Sequence, residues 1–236
     1  MQKTLAAATV AALIGVAGAA NAADVYSRGG SLKDGPIFAP ASSWTGFYIG
    51  LGVGGGDIDS HIIGTDNAGG RANLDGLGGD GFLGRAQVGY DYQLGSRWLA
   101  GIFFDYDLAN LTSSFNSTGQ LTDVHANLKE SWTAGGRLGY LLFPNTLTYV
   151  LAGYSEARFD LSSGFNNDTF SGYTLGSGVE FQIAGNWYAK GEYRFTQYEK
   201  QTVFSNGVVT VTDEPRENTI VSSLIYKFGG FQEPLK

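Results

Sequence analysis

No cysteine occurs among the 236 residues, which excludes a disulfide framework, a thiolate metal site and a lipoprotein anchor. Histidine is scarce too, at two residues. Charged residues make up only 16% of the chain, and acids outnumber bases by 22 to 15, for a formal charge of -7. That balance argues against a nucleic-acid partner. Beyond the first 22 residues, no apolar run approaches the roughly 20 residues of a membrane helix. What the chain has in quantity is glycine (36 residues) and aromatics (14%), which favour strands and tight bends over helices.

The first segment stands apart. Lys3 and the amino terminus precede an alanine-rich apolar stretch, Leu5–Ala19, and Ala20-Asn21-Ala22 then reads as a small-residue cleavage site. This is the pattern of a secretory signal peptide, residues 1–22, cut between Ala22 and Ala23. Its removal takes Lys3 with it and moves the formal charge from -7 to -8. Residues 23–43 hold Gly29-Gly30, Pro36 and Pro40-Ala41-Ser42-Ser43 and are expected to form an extended, mobile periplasmic leader. Residues 44–228 show no break in composition and read as one domain, followed by a short extension, residues 229–236.

Within that domain, alternation at period two is the dominant signal. In Gly84–Leu94, the residues Gly84, Ala86, Val88, Tyr90, Tyr92 and Leu94 are small or apolar, while Arg85, Gln87, Gly89, Asp91 and Gln93 are polar, charged or glycine. Such a segment is a strand with unlike faces. The pattern occurs eight times, beginning near Trp44, Gly84, Trp98, Ser131, Leu147, Tyr173, Trp187 and Thr219. Apolar sets include Phe47, Ile49, Leu51 and Val53 in the first and Leu147, Tyr149 and Leu151 in the fifth. Each segment is about long enough for the roughly 9–11 residues of a tilted membrane strand. Tight connections (Gly95-Ser96, Pro144-Asn145, Ala184–Asn186) alternate with long ones (Gly56–Gly79, Ala109–Asn127, Asp160–Phe170, Thr196–Asn218). Short turns on one side and long loops on the other are the layout of outer-membrane barrels.

Turn parity refines this. The second and third strands both carry apolar residues at even positions, so their turn must have three residues, Gly95–Arg97, or a bulge. Asn206-Gly207 reads as a two-residue turn that would pair Phe204 with Val209. Continued downward, that register sets Trp187 opposite Tyr226 and Phe195 opposite Asn218, with an interruption near Pro215.

Which face carries the charges separates two classes. A soluble eight-stranded barrel hides its apolar residues inside, whereas a membrane barrel turns them outward to lipid. On the apolar faces the aromatics gather toward strand ends. Tyr92, Trp98, Tyr140, Tyr149, Trp187, Tyr226 and Phe228 lie near the short turns, and Tyr106, Trp132, Tyr173 and Phe195 near the long loops. Two aromatic girdles suit two membrane interfaces. With the signal peptide, they point to an all-β protein, an eight-stranded antiparallel up-and-down transmembrane β-barrel of the bacterial outer membrane.

The junction Trp44-Thr45-Gly46-Phe47-Tyr48-Ile49-Gly50 and the closing Leu224-Ile225-Tyr226-Lys227-Phe228 resemble the alphaproteobacterial outer-membrane surface antigens. These are small OmpA-like barrels often labelled porin-family proteins. The resemblance covers about residues 44–228. It implies an abundant, immunogenic surface protein with a role in envelope integrity or host contact, and a terminal aromatic read by the barrel-assembly machinery. The chain departs from that pattern by continuing through Gly229–Lys236. Expected partners are outer-membrane lipid and lipopolysaccharide, the assembly machinery, and a surface ligand that the residues do not identify. The chain is expected to be a monomer without a cofactor.

A barrel of about eight strands has an interior that side chains fill. The expected inward charges are Arg85, Asp91, Asp105, Arg137, Glu156, Arg158, Glu180, Lys190, Glu192 and Arg194, five acids and five bases. They should pair, because an unpaired buried charge is costly. The reading is a closed lumen, the alternative a narrow diffusion channel. Other candidates are weak. Gly50–Gly56 satisfies G-x-G-x-x-G, but no helix follows to make it a nucleotide site. His61 and His125 fall in the first two long loops, where metal binding has little to recommend it over solvation. No histidine falls within an expected strand and no serine sits in a G-x-S-x-G turn, so a lipid-modifying enzyme is the least favoured class. Asp57, Asp59, Asp66, Asp75 and Asp80 make the first long loop acidic, which could recruit divalent cations or simply stay solvated.

Overall fold

The computed structural model describes residues 44–66, 68, 70–115, 124–161, 168–205 and 208–229. The expected signal peptide with its Ala22–Ala23 cleavage point, the leader, the Asn206-Gly207 turn and residues 230–236 lie outside them. The described residues form β1 (Gly46–Asp66), β2 (Arg71–Leu94), β3 (Trp98–Phe115), β4 (Val124–Phe143), β5 (Thr146–Leu161), β6 (Asp168–Ala184), β7 (Trp187–Tyr198), β8 (Gln201–Ser205) and β9 (Val209–Phe228). From β1 to β7 each strand pairs antiparallel with the next, and β9 returns to pair with β1 along its length. Both β7 and the short β8 pair with β9, so β8 prolongs β7 and the wall is a closed barrel of eight strands. Closure leaves no open edge, the condition for crossing lipid with strands.

Phe47, Ile49, Leu51, Val53, Val88, Ile102, Leu138, Val150, Leu175 and Leu224 are exposed on the outer face. The buried residues between them include eleven that ionise. Apolar-outward, charged-inward is the membrane arrangement. On β9 the outward apolar band ends at Ile220. The next outward residue, Asn218, accepts a hydrogen bond from the Tyr193 hydroxyl at 2.8 Å and donates one to Asp57 at 3.1 Å. The spanning part of β9 therefore runs from Phe228 to Thr219, and Glu217 lies beyond it on the extracellular side.

The strands run well past the 9–11 residues that a bilayer requires. Most of the expected first loop, Gly56–Gly79, continues the β1–β2 hairpin to the pair Thr65↔Arg71. Above the membrane neither face meets lipid, so no alternation is demanded and the sequence there does not announce a strand. His61 and His125 accordingly sit in β1 and β4, not in loops. The β2–β3 turn has three residues, closed by the pair Leu94↔Trp98 with Gly95 at φ 68°. Trp187↔Tyr226 and Phe195↔Asn218 are paired. Phe204, however, faces Val211, not Val209, in register with the pair Ser205↔Thr210, and the β8–β9 ladder then shifts between Thr202 and Phe204. Pro215 lies inside β9, and the interruption falls on the facing side, at Glu199-Lys200 between β7 and β8.

The fifth strand overturns the expected facing. Pro144-Asn145 does make a tight turn closed by Phe143↔Thr146, but Leu142 is bulged out of the ladder and Leu141 pairs with Leu147. One extra residue reverses the parity. Leu147, Tyr149 and Leu151 face inward and are buried, while Val150 and Tyr154 face lipid.

Three inward aromatics lie across the wall over glycines of the neighbouring strand: Tyr48 over Gly89, Phe103 over Gly135 and Tyr149 over Gly178. A Cβ at Gly89 or Gly178 would sit well inside van der Waals contact with the tyrosine ring. Ring-over-glycine pairing flattens the aromatics against the wall and leaves the lumen axis to longer side chains. Gly89→Ala and Gly178→Ala should each destabilise the barrel by about 1–3 kcal/mol through overpacking, read as a lower urea midpoint for unfolding from detergent micelles.

Candidate functional site

The lumen is layered. Near the short turns, Trp44, Tyr48, Leu99, Phe103, Leu141, Leu147, Tyr149, Leu151, Tyr188 and Ile225 form a buried apolar cluster. Trp44, fully buried, donates its indole N–H to the Pro144 carbonyl oxygen at 3.1 Å, across the mouth of the barrel. Toward the long connections a second cluster gathers Ile58, Leu128, Ala157, Phe170 and Tyr198. Charges lie among and between these layers.

The lower set is a quartet. Arg137 of β4 reaches Asp91 of β2 through both Nε and Nη2, and Glu180 of β6 at 3.0 Å. Lys227 of β9 bridges the same two acids at 2.8 Å each. Both cations also lie on aromatic faces. Arg137 is 4.7 Å from the Tyr48 ring and 5.0 Å from that of Tyr149, and Lys227 is 4.5 Å from Trp44 and 4.9 Å from Tyr188. Ring faces attract a desolvated cation where water cannot, so the apolar cluster doubles as counter-charge.

The upper set is built on β2, β3 and β7. Arg85 makes a two-pronged contact with Asp107, at 2.7 Å on each oxygen, and a third bond to Glu192 at 2.9 Å. Arg194 joins Glu192 at 2.6 Å and also pairs with Asp105. Lys190 lies 3.2 Å from Glu192 and bonds Gln87. The Tyr149 hydroxyl donates to Glu192 at 2.6 Å, tying the upper set to the floor.

Among the described residues, six buried acids (Asp91, Asp105, Asp107, Glu180, Glu192, Glu217) face five buried bases (Arg85, Arg137, Lys190, Arg194, Lys227). Glu217 is the odd one. Its hydrogen bond comes from the Tyr198 hydroxyl at 2.8 Å, and burial pushes its carboxyl up to about 7, with Asp107 nearby acting the same way. A protonated Glu217 leaves five charges of each sign.

Eight of the ten charges expected in the lumen are there: Arg85, Asp91, Asp105, Arg137, Glu180, Lys190, Glu192 and Arg194. Glu156 and Arg158 are not. The bulge at Leu142 turns both outward, where Arg158 pairs with Glu130 at 2.5 Å and is largely exposed. The same reversal removes Tyr149 from the girdle and puts Tyr154 in it, 5.6 Å from Trp132. Tyr92, Trp98, Tyr106, Trp132, Tyr140, Tyr173, Trp187, Phe195, Tyr226 and Phe228 face outward. Several are in contact, as Trp98 with Tyr140 and Trp187 with Tyr226. The network also contains Asp107 and Lys227, which alternation put on polar faces, and Glu217. Counting back from Lys227 in steps of two reaches Glu217, but it fell inside what read as a loop. Among the described residues no three of His, Asp and Glu gather as a metal site would need.

This wall has known counterparts. A family model described as outer membrane protein beta-barrel domain matches residues 8–228. The chain belongs to that outer-membrane β-barrel family. It is 30% identical to the 31 kDa outer-membrane immunogenic protein of Brucella melitensis over 96% of this chain and all of the relative. It is 31% identical to a 22 kDa outer membrane protein of Rhizobium leguminosarum, over 69% of this chain and 68% of that protein. The crystal structure of outer membrane protein OprG from Pseudomonas aeruginosa superimposes with a TM-score of 0.50 at 13% identity, over 80% of this chain and 99% of that one. That likeness speaks to the fold alone. The protein is an outer-membrane barrel of the kind that the resemblance implied.

Removing one member of a buried pair strands the others. Lys227→Ala leaves Asp91 and Glu180 sharing Arg137 and should cost about 3–5 kcal/mol, measured by urea unfolding in micelles. Adding Glu180→Gln to that variant should recover part of the loss.

Proposed function

We propose that this barrel is a sealed, non-enzymatic surface protein of the outer membrane. In this reading it reinforces the envelope through its lipid-facing girdles and presents its long extracellular strand extensions for contact. The observation that carries the reading is the lumen: eleven ionisable side chains, each no more than 7% exposed, held between two apolar clusters. A lumen filled in this way offers no continuous aqueous path. The outer face supplies the lipid contact, with lipid and lipopolysaccharide as partners and the assembly machinery engaged during insertion. The extracellular half is what an antibody or other surface partner would meet, in keeping with the immunogenic proteins of Brucella. Closure of the wall upon itself fits a monomer.

Planar-bilayer recordings test this directly. The refolded monomer should show no steady conductance of porin size, and the double replacement Asp91→Asn with Glu180→Gln, which strips Arg137 and Lys227 of their carboxylates, should raise the frequency of openings. A large, steady conductance from the native monomer would overturn the proposal.

A further inference from the structure

The outer wall carries an apolar groove of about 580 Å³ across β4, β5 and β6. Its floor is the cross-strand pair Gly136↔Ala152, and Leu138, Val150 and Leu175 stand around it, each about half exposed on the lipid-facing side. The inward glycines of this barrel are held small by rings and backbone pressed against them. At Gly136 nothing does so. A Cβ there would meet only the Gly101 carbonyl oxygen, at 3.6 Å, an ordinary van der Waals separation. The wall has room for a side chain at this position, and a glycine inside a strand weakens it. Packing of the sheet therefore does not account for Gly136, whereas an open groove does.

Tyr140, Leu138 and Gly136 follow one another on the outer face of β4, so the groove leads down to the aromatic girdle at the short turns, the periplasmic side. Arg97 of the β2–β3 turn lies exposed at that level. Its carbonyl oxygen accepts a hydrogen bond from the Leu141 N–H at 2.8 Å, and its Nη1 donates to Tyr140 Oη at 3.1 Å. The Trp98 ring stands edge-on to Tyr140, 5.1 Å away. Each buried base in the lumen touches an acid, but among the described residues no carboxylate pairs with Arg97, and the Trp98 indole N–H meets no acceptor. Tyr140 Oη, having accepted a bond from Arg97, still has its own proton to give. Arg97 is also the only base on the outer face of the short-turn end among the described residues. A cation and two neutral donors thus gather at the foot of an apolar groove.

We infer that groove and foot together bind one phospholipid of the periplasmic leaflet, its phosphate held by Arg97, Trp98 and Tyr140 and one acyl chain laid over Gly136 and Ala152. The chemistry matches at both ends. A guanidinium fork fits two phosphate oxygens at once, and Trp and Tyr at a membrane interface turn their polar atoms to the headgroups and their rings to the chains. The length matches as well. From Tyr140 to Gly136 is four residues of β4, about 13 Å at roughly 3.3 Å per residue, which lies inside the roughly 15 Å depth of one leaflet's hydrocarbon. A chain that starts at the headgroup therefore reaches the groove, where Leu138, Val150 and Leu175 flank it. The inference rests on the lipid-facing wall of the proposed function and not on its closed lumen.

Native mass spectrometry of the barrel, refolded in detergent micelles and titrated with phosphatidylglycerol, tests the site. The native chain should retain one lipid more tightly than any further adduct. Arg97→Gln should weaken that adduct about fivefold or more, the equivalent of roughly 1 kcal/mol. Gly136→Leu, which fills the groove, should weaken it comparably, and Arg158→Gln at the opposite girdle should leave it unchanged. A native-strength adduct in either Arg97→Gln or Gly136→Leu, or an equal loss in Arg158→Gln, would reduce the contact to ordinary surrounding lipid and overturn the site. Barrel dimers that disappear in Gly136→Leu would give the groove to a second copy and overturn it too. Should Gly136→Leu fail to refold, Ala152→Leu fills the same groove from β5 and is read in the same way. Lipid retention does not depend on conductance, so its failure would leave the closed lumen standing.

Discussion

An ionised group inside this wall has only other side chains to lean on. Eight strands enclose a space that side chains fill, and moving an ion out of water costs several kcal/mol even after relaxation. Each of the five buried bases accordingly touches at least one carboxylate, and Glu192 alone contacts Arg85, Lys190 and Arg194. The lower quartet meets the same demand by a second route, since Arg137 and Lys227 also rest on tyrosine and tryptophan rings. The acid left over, Glu217, accepts a hydrogen bond from the Tyr198 hydroxyl, and burial pushes its carboxyl up to about 7.

The floor makes that arrangement possible. Arg137 can lie over both Tyr48 and Tyr149 because each ring is pressed flat against the neighbouring strand, over Gly89 and Gly178. Larger residues at those glycines would push the rings toward the axis, into the space of the guanidinium. Trp44 completes the floor from outside the strands, anchored to Pro144 on the far side of the mouth and packed edge-on to Tyr188 at 4.9 Å. Glycine, aromatic and cation therefore work as one unit, and the glycine abundance of the chain has part of its explanation in the lumen.

Much of this was legible in the sequence because lipid imposes a rule that residues cannot evade. Where a strand crosses the bilayer, every second residue must be apolar, so the faces of β1–β4, β6, β7 and the lower part of β9 follow from alternation alone. Inside the barrel no such rule holds. Leu147, Tyr149 and Leu151 are as apolar as a lipid face, and only the bulge at Leu142 distinguishes the two placements. A bulge leaves no compositional mark, and the tight Pro144-Asn145 turn by itself argues for the opposite parity. Glu156, Arg158 and Tyr149 were misplaced together for that single reason. Above the membrane the rule lapses altogether, which is why the strand extensions read as loops and Glu217 was not counted with the buried charges.

A row of four bonded hydroxyls, Thr133, Ser155, Thr174 and Thr196, crosses β4 to β7 and follows from the same shortage of space. Arg85, Lys190, Glu192 and Arg194 extend into the lumen from β2 and β7, and Asp105 and Asp107 from β3. On the remaining arc, β4, β5 and β6 present Ser131, Thr133, Ser155, Ala157 and Thr174, all buried. Long side chains on both arcs would collide, and apolar ones on the second arc would add nothing to the charge balance. Small hydroxyls fit the volume, but each carries a donor and an acceptor that need partners. Bonding one hydroxyl to the next, from Thr133 through Ser155 and Thr174 to Thr196, meets that need across the strands. A row of bonded hydroxyls is thus a consequence of filling the second arc of a narrow charged barrel with small polar side chains.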